Sequence, residues 1–470
     1  MLGKKQTLNI LSKAIKEAGL LGLSTEVHLI GAMERTTRSA PDIGPHEVSN
    51  IASGEIYGRL TNRQGRYAEF STSSGNSNAI RAAILGTGLA VEQVDRCSYL
   101  PRLQPQPRTL PEEQLAMQEC SDPGSDEELR KAAFRKIARA ERDLGWQIGG
   151  RFSTFGIEVG VANSKELRRY FATRWAVFSM RALDPSRNLT IYADRIASSP
   201  EELDFKGAIN EARALATQMN NLKKCNLFTL GGRRNTRNAG RICNAVLGPY
   251  AMRDILDKMS YAVLNGYSVE IGESPLTRRR LGRMVTGEKF TLADNSGHQN
   301  VLSWPFDFEG VTRQVVPLIT EGRFTGATYD GMTARKAGRS TTGHSLFDLG
   351  TGYPSSLVME GGSETLESLL KKSRGVTVFI NHCHYSALTY EGEFMYSAVV
   401  PGAVVYKDGN PVGVSGPLRI RFRPLDAFRS IWGLTAAMPL GNSDETYGIP
   451  LPISFSLPGV GLREIRFGPY

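Results

Sequence analysis

Cysteine and histidine are scarce in this chain of 470 residues, which has five of the first and six of the second. The cysteines, Cys97, Cys120, Cys225, Cys243 and Cys383, are odd in number, and no two are spaced C-x-x-C. That argues against a disulfide framework or a zinc knuckle and predicts reduced, mostly buried thiols. Long apolar runs are also missing. A stretch such as Ala398 to Tyr406 is broken by Pro401 and Gly402 and falls far short of the roughly 20 residues a membrane-spanning helix needs. Near the N-terminus, Lys13, Lys16 and Glu17 interrupt any apolar stretch of a secretory leader, so a cytoplasmic protein without a membrane segment is expected. No P-loop or dinucleotide-binding glycine pattern occurs. The Ser71 to Gly75 stretch has no neighbouring base that would activate a serine.

Basic residues are in excess, giving a net charge of +10. Residues 231–285 hold ten basic side chains against four acidic ones. Such a segment can attract nucleic acid or an acidic peptide, form a solvated face, or dock a partner subunit. No nucleic-acid motif accompanies it, so nucleic acid is not the expected partner. Hydrophobic residues make up 40% of the chain, enough for a real core, and the length suits about two to four domains.

Periodicity predicts an amphipathic helix over residues 5–20, from Leu8, Leu11, Ile15 and Ala18 at three- and four-residue spacing. An alternating strand follows at Glu26 to Ile30, then two strands over 55–72 around a turn at Asn62 to Arg66. A helix is expected over 76–92. Five prolines make 101–128 an exposed linker or loop. Beyond it come a charged helix from Asp126 to Asp143, strands over 151–161 and 170–181 around Asn163 to Glu166, and a helix over 200–221. Ser199 is the expected cap of that last helix and Pro200 its first residue. From 225 onward glycine and β-branched residues rise. Helix signals recur only near 249–266 and 362–373, and short strands dominate after 284. Glu321-Gly322 reads as a hairpin turn between apolar runs. The fold class is therefore α+β, with an N-terminal α+β domain over 1–224 and a mostly antiparallel, β-rich C-terminal domain over 225–470.

Several short segments occur in a specific order. They are Gly54 to Arg59 with Gly65 to Thr72, Asn163-Ser164, Gly248 to Ala251, Gly272 to Leu276, Leu292 to Asn295, Phe306 to Gly310, Leu318 to Phe324, Ser340 to His344, and Gly402 to Gly409. In that order they resemble the TldD/TldE (PmbA) metallopeptidase family, with Glu166 in place of a usual glycine. The resemblance implies a peptidase scaffold in which a zinc-bearing subunit pairs with a zinc-free one. Zinc-bearing members carry HExxxH on the helix that Gly248-Pro249 opens. The motif's two histidines share the ion, and the glutamate activates its water. Here Asp257-Lys258-Met259-Ser260-Tyr261-Ala262 stands in that place. No two histidines of the chain are one helical turn apart, and Thr435 to Gly448 lacks the family's late cysteine ligand. The resemblance thus implies the zinc-free TldE (PmbA) type, with no metal or cofactor of its own. Its implied partners are a TldD-like zinc subunit or a second copy, and an extended peptide. Together the subunits would degrade unfolded peptides or mature a modified peptide precursor. The alternatives are a divergent member recruited as a biosynthetic enzyme, and a basic nucleic-acid-associated regulator.

The substrate contacts expected from this reading are Thr342, His344, His382 and His384. Thr342 and His344 belong to a Gly-containing loop whose backbone either approaches a ligand or makes a tight structural turn. His382 and His384 are read as lying on one face of a strand, with Cys383 on the other.

Overall fold

A computed structural model of the chain describes residues 1–41, 43–107, 126–230, 233–234, 240–302, 304–346, 352–390, 394–442 and 450–470. The fold is α+β, with mostly antiparallel sheets. Most of the 101–128 linker, residues 108–125, lies outside the described residues. Residues 101–107 have no regular structure; the Gln104 carbonyl accepts from Asn163 Nδ2 at 2.8 Å and the Gln106 side chain from the Arg168 N–H at 2.8 Å.

The first sheet has six antiparallel strands: β1 (Ser24–Ala40), β2 (Ile43–Thr61), β3 (Tyr67–Thr72), β4 (Gln147–Asn163), β5 (Arg168–Asp184) and β6 (Leu189–Ala197), in the order β3-β2-β1-β4-β5-β6. The central strand β4 shows how the sequence places its neighbours. Successive side chains of a strand point to opposite faces. Phe152 joins a core shared with helices α3 (Glu127–Leu144) and α4 (Phe205–Asn220), and Ala162 joins one shared with α1 (Lys4–Leu20) and α2 (Ser77–Val91). Phe155, Ile157, Val159 and Val161, on the opposite parity, pack with Trp304, Phe306 and Phe308. One strand is thereby buried on both sides and ties the first sheet to the later half of the chain.

That later half builds two more sheets. One has six strands in the order Arg323–Phe324, Val316–Thr320, Leu292–Asp294, Ser356–Met359, Ser454–Leu457 and Met438–Gly441. The other has ten strands. Its main path runs His384–Tyr390, Phe394–Val400, Leu418–Phe422, Val460–Pro469, Arg241–Leu247, Val376–Ile380, Ala403–Lys407 and Asn410–Ser415. Two pairings are parallel, 356–359 with 454–457 and 376–380 with 241–247. Helix α5 (Pro249–Ala262) packs against strands of both sheets. A buried ion pair from Arg253 to Asp194 also ties it to β6.

Several expectations need correction. The helix expected to begin at Pro200 begins at Phe205. Asp204 caps it through the Gly207 N–H at 2.8 Å, whereas Ser199 accepts only a local bond from the Glu202 N–H. An aspartate side chain reaching back to an N-terminal N–H outcompetes proline at the first position as a helix start. The 249–266 helix is two, because Asn265 caps a second one, Gly266–Ile271. The 362–373 helix is confined to Leu366–Lys371. Strand β6 and the short helix Gly331–Ala337 had no clear periodic signal. The Glu321-Gly322 turn is as expected: both residues have positive φ (47° and 77°), and Thr320 pairs with Arg323, the geometry of a tight hairpin. Among the described residues, no helix is long and apolar enough to cross a membrane.

Candidate functional site

Helix α5 is the element to examine first. Gly248 caps it and Pro249 opens it, a good helix start because proline needs no partner for an N–H there. Tyr250, Ala251, Met252, Ile255, Leu256, Met259 and Ser260 are buried. Asp254, Asp257, Lys258 and Tyr261 form the face left more open, at three- and four-residue intervals.

Asp254, Asp257 and Lys258 on this face each have a partner. Asp254 accepts from Ser386 Oγ at 2.9 Å and from the Tyr396 hydroxyl. Burial pushes its carboxyl above the usual range, against those two bonds. Asp257 accepts from the Tyr353 hydroxyl at 3.3 Å and from Lys258 Nζ at 3.3 Å. Burial, followed by Asp257 and then Asp294, holds Tyr353 far above an ordinary phenol. Cys383 lies beside this cluster. Burial and then Asp254 raise its thiol out of the reactive range.

The segment 381–385 reaches the same place. Contrary to expectation, His382 is not on a strand: strand structure begins at His384, and Tyr385 has a positive φ of 48°. His382 is buried. Its Nδ1 lies 3.0 Å from Asn381 Oδ1, which accepts the Tyr192 N–H at 2.8 Å. The His382 and His384 rings are 6.4 Å apart, and His384 lies 4.7 Å from the ring of Tyr385, which is 82% exposed. Burial, then the Arg181 guanidinium, lowers the pKa of His384. His382 and His384 are therefore neighbours of α5, joined to it through Ser386.

Thr342 and His344 sit elsewhere. His344 is fully buried, with Nε2 2.9 Å from Asp294 Oδ1 and Nδ1 2.9 Å from the Thr342 carbonyl. Arg313 donates to the same Asp294 oxygen at 2.7 Å, and the Ser356 N–H donates to the other at 2.8 Å. Burial alone would raise the Asp294 carboxyl; Arg313 and His344 outweigh it and hold it far below the usual range. Burial, then Arg313, keeps the His344 pKa below its ordinary value. Thr342 accepts from the Tyr329 N–H at 2.7 Å and donates to the Tyr329 carbonyl at 3.1 Å. Gly343 has φ 74°, and a Cβ there would lie 2.4 Å from the Thr312 carbonyl oxygen. The close approach this glycine allows is thus to the chain itself. Tyr353 stands between the two clusters, donating to Asp257 and sensing Asp294.

A second concavity, of about 310 Å3, opens between β1–β3 and residues 308–346. Arg59 donates to Glu26 at 2.7 Å and lies 3.8 Å from Glu309, whose other oxygen accepts the Gly331 N–H at 2.9 Å. Burial raises the Glu26 carboxyl despite Arg59; burial and then Glu26 raise that of Glu309. Asp307 accepts from the N–H groups of Glu309, Val311 and Ser345 at 2.9–3.0 Å, and burial still lifts its carboxyl to about 7. Carboxyls that keep a proton near neutral pH can donate as well as accept. His28, packed between Tyr57 and Phe308, is lowered to about 3 by burial, then by Arg59. Sequence reading passed over Glu26, Arg59, Asp254, Tyr353 and Tyr396. Of the residues at this concavity, Arg59, Asp307 and Glu309 lie in segments that carry the family order, without a role assigned to them.

At the place of the zinc motif, the side chains are Asp257, Lys258 and Ala262. One is a potential ligand, one carries a positive charge, and one has no donor. That set does not suit zinc, which takes three or four N, S or O donors. Among the described residues no cluster of three or more His, Cys, Asp or Glu is arranged to hold a metal.

Residues 239–468 match the family model described as PmbA/TldA metallopeptidase C-terminal domain. Solved structures share the fold over nearly the whole chain. TldE from Thermococcus kodakarensis superposes with a TM-score of 0.78 at 16% identity, covering 98% of this chain and 100% of that one. A putative modulator of a DNA gyrase from Thermotoga maritima gives 0.74 at 17%, covering 98% and 99%. A putative modulator of DNA gyrase from Bacteroides thetaiotaomicron gives 0.72 at 15%, covering 98% of each. No curated protein sequence matches the chain.

Proposed function

The chain belongs to the TldD/TldE (PmbA) family, and from that premise we propose that it is a zinc-free subunit of the TldE (PmbA) type. It works in the cytoplasm with a TldD-like zinc subunit, or pairs with a second copy of itself. The two subunits enclose a chamber in which unfolded peptides are degraded or a modified peptide precursor is trimmed. The zinc subunit carries out hydrolysis. This chain completes the chamber and holds extended peptide through main-chain hydrogen bonds, which tolerate many sequences. His384 and the exposed Tyr385, beside α5, are the side chains that meet the peptide. Thr342 and His344 bond within the cluster around Tyr329 and Asp294, apart from that surface.

The observation that carries this reading is the substituted motif on α5. Lys258 keeps its ammonium 3.3 Å from Asp257, and a cation there opposes a divalent ion on the same carboxylate. The test is to purify the chain alone, measure zinc, and assay hydrolysis of unfolded peptides with and without an HExxxH-bearing relative. The expected result is no bound zinc, no hydrolysis alone, and hydrolysis that depends on the zinc subunit. Stoichiometric zinc with activity in the isolated chain would overturn it. Zinc-independent chemistry on a peptide by the isolated chain would point instead to a recruited biosynthetic enzyme.

A further inference from the structure

A concavity of about 1130 Å3 lies away from the residues discussed so far, on the ten-stranded sheet. Strand alternation explains its position. Tyr396, on 394–400, turns its hydroxyl to Asp254 of α5, while its neighbour Met395 lines the concavity. Cys243 and Ala245 belong to the core, whereas Ile242 and Asn244 line the concavity. The groove is therefore the sheet face opposite α5. Six cationic side chains line it: Lys372, Arg374, Arg421, Arg423, Arg463 and Arg466. Against them stand two carboxylates of the lining, Asp426 and Glu464, and Lys372 is also paired with Glu364 at 2.9 Å. Asp426 is shared between Arg423 at 3.6 Å and Arg429 at 3.7 Å.

The backbone at the groove is specialised too. The ladder between 460–469 and 241–247 breaks its register between Leu462 and Ile465. Within the break Glu464 takes a positive φ of 58°, and both Arg463 and Glu464 are exposed. A bulge of this kind re-aims side chains, and a non-glycine residue held at positive φ marks a place where strain is retained. Ser430 holds the bulge by donating to the Arg463 carbonyl at 3.2 Å and accepting its N–H at 3.1 Å. Trp432, on the groove wall, packs so closely on Gly461 that a Cβ there would meet its ring at 2.4 Å.

We infer that this groove binds a polypeptide segment rich in aspartate and glutamate. Five of the six cations are arginines, whose planar fork pairs with carboxylates in bidentate fashion. The groove is larger than the ~300–1,000 Å3 usual for small-molecule pockets, which suits a length of chain. A peptide is favoured over nucleic acid on two grounds. Trp432 is the single tryptophan at the groove, and it is packed against Gly461, so there is no row of open aromatic faces on which bases would stack. Glu464 and Asp426 would repel a uniformly charged phosphate backbone, yet they can accept the amide N–H groups of a peptide. The site stands independently of the peptidase-subunit reading.

The test uses the full chain and a fluorescein-labelled oligo-glutamate peptide, followed by anisotropy at low and high salt. Binding should appear at low salt and weaken as salt rises. It should fall at least about tenfold in an Arg374→Glu, Arg466→Glu double variant, a loss of about 1.4 kcal/mol. An Arg278→Glu, Arg279→Glu variant, with the same charge change elsewhere, should bind like the parent. An oligo-lysine peptide should not bind. Oligo-glutamate that fails to bind, or binds both double variants equally, overturns the inference. Single-stranded DNA or polyphosphate that binds tighter than oligo-glutamate at the same salt, and loses binding in the groove variant, also overturns it, in favour of a phosphate ligand. Unchanged melting of the variants separates loss of binding from loss of fold.

Discussion

Lys258 holds its ammonium 3.3 Å from the carboxylate of Asp257, its neighbour on α5. Asp257 in turn accepts from Tyr353, so this stretch of helix is built into the surrounding structure. Buried polar groups are costly without partners. On this face Asp254 is met by the hydroxyls of Ser386 and Tyr396, and Asp257 by that of Tyr353 and by Lys258.

The buried Asp294–Arg313–His344 cluster is predicted to be a main stability determinant of the later half. Arg313→Met should cost about 3–5 kcal/mol, because it leaves a buried carboxylate short of its cation. Urea denaturation measures this. A loss below about 1 kcal/mol would mean the carboxylate is relieved by water or by protonation.

Gly343→Ala should destabilise the protein by about 1–3 kcal/mol or more. Its φ is positive, and the new methyl would be driven into the Thr312 carbonyl. A melting temperature equal to the parent's would show that the loop moves freely, contrary to the packing around His344.

The carboxyls at the second concavity predict an unusual pH response. Asp307 and Glu309 hold their protons to higher pH when folded than when unfolded. The stability they contribute is complete below about pH 4, near the unfolded value; the part from Asp307 is lost as pH rises through about 7, and the part from Glu309 as pH rises through its own raised value. Asp294 acts in the opposite sense: its contribution is present above its unfolded value and is lost as the medium becomes strongly acid. The melting temperature should therefore fall between mildly acidic and neutral pH. Asp307→Asn should flatten that fall, whatever its effect on absolute stability. An equally steep slope in the variant would refute the assignment to Asp307.

Thiol labelling should distinguish the cysteines. Cys97 and Cys225 are partly exposed, whereas Cys383 is buried with a raised pKa. In the native protein an aromatic disulfide reagent should modify Cys97 well before Cys383, with Cys383 reacting only on unfolding. Equal rates under native conditions would show that the α5 face opens more readily than its packing suggests.

How much was legible beforehand follows from the kind of signal each feature leaves. The helix of residues 5–20, the strands flanking Asn163 and the turn at Glu321-Gly322 carry their information locally, as spacing or as a demand for positive φ. The substitution of the zinc motif is also visible in a few adjacent letters. The rings of His382 and His384 are 6.4 Å apart, but the two do not share a strand, which begins at His384, and the Ser386–Asp254 bond that ties their segment to α5 left no local signal. The basic segment 231–285 divides: Arg253 from that run is buried against Asp194 and Arg241 donates to the Phe228 carbonyl, whereas Arg278, Arg279 and Arg283 are exposed.

The sequence by itself determined the α+β class and the tight turn at Glu321-Gly322. Only the tertiary structure decided that His344 lies inside, because its partner Asp294 is fifty residues away. It also decided where the basic surface is. Arg374, Arg421 and Arg466 share one groove because three separate stretches of chain meet across a sheet. Local periodicity dictates which face a side chain takes; long-range strand pairing decides which faces meet.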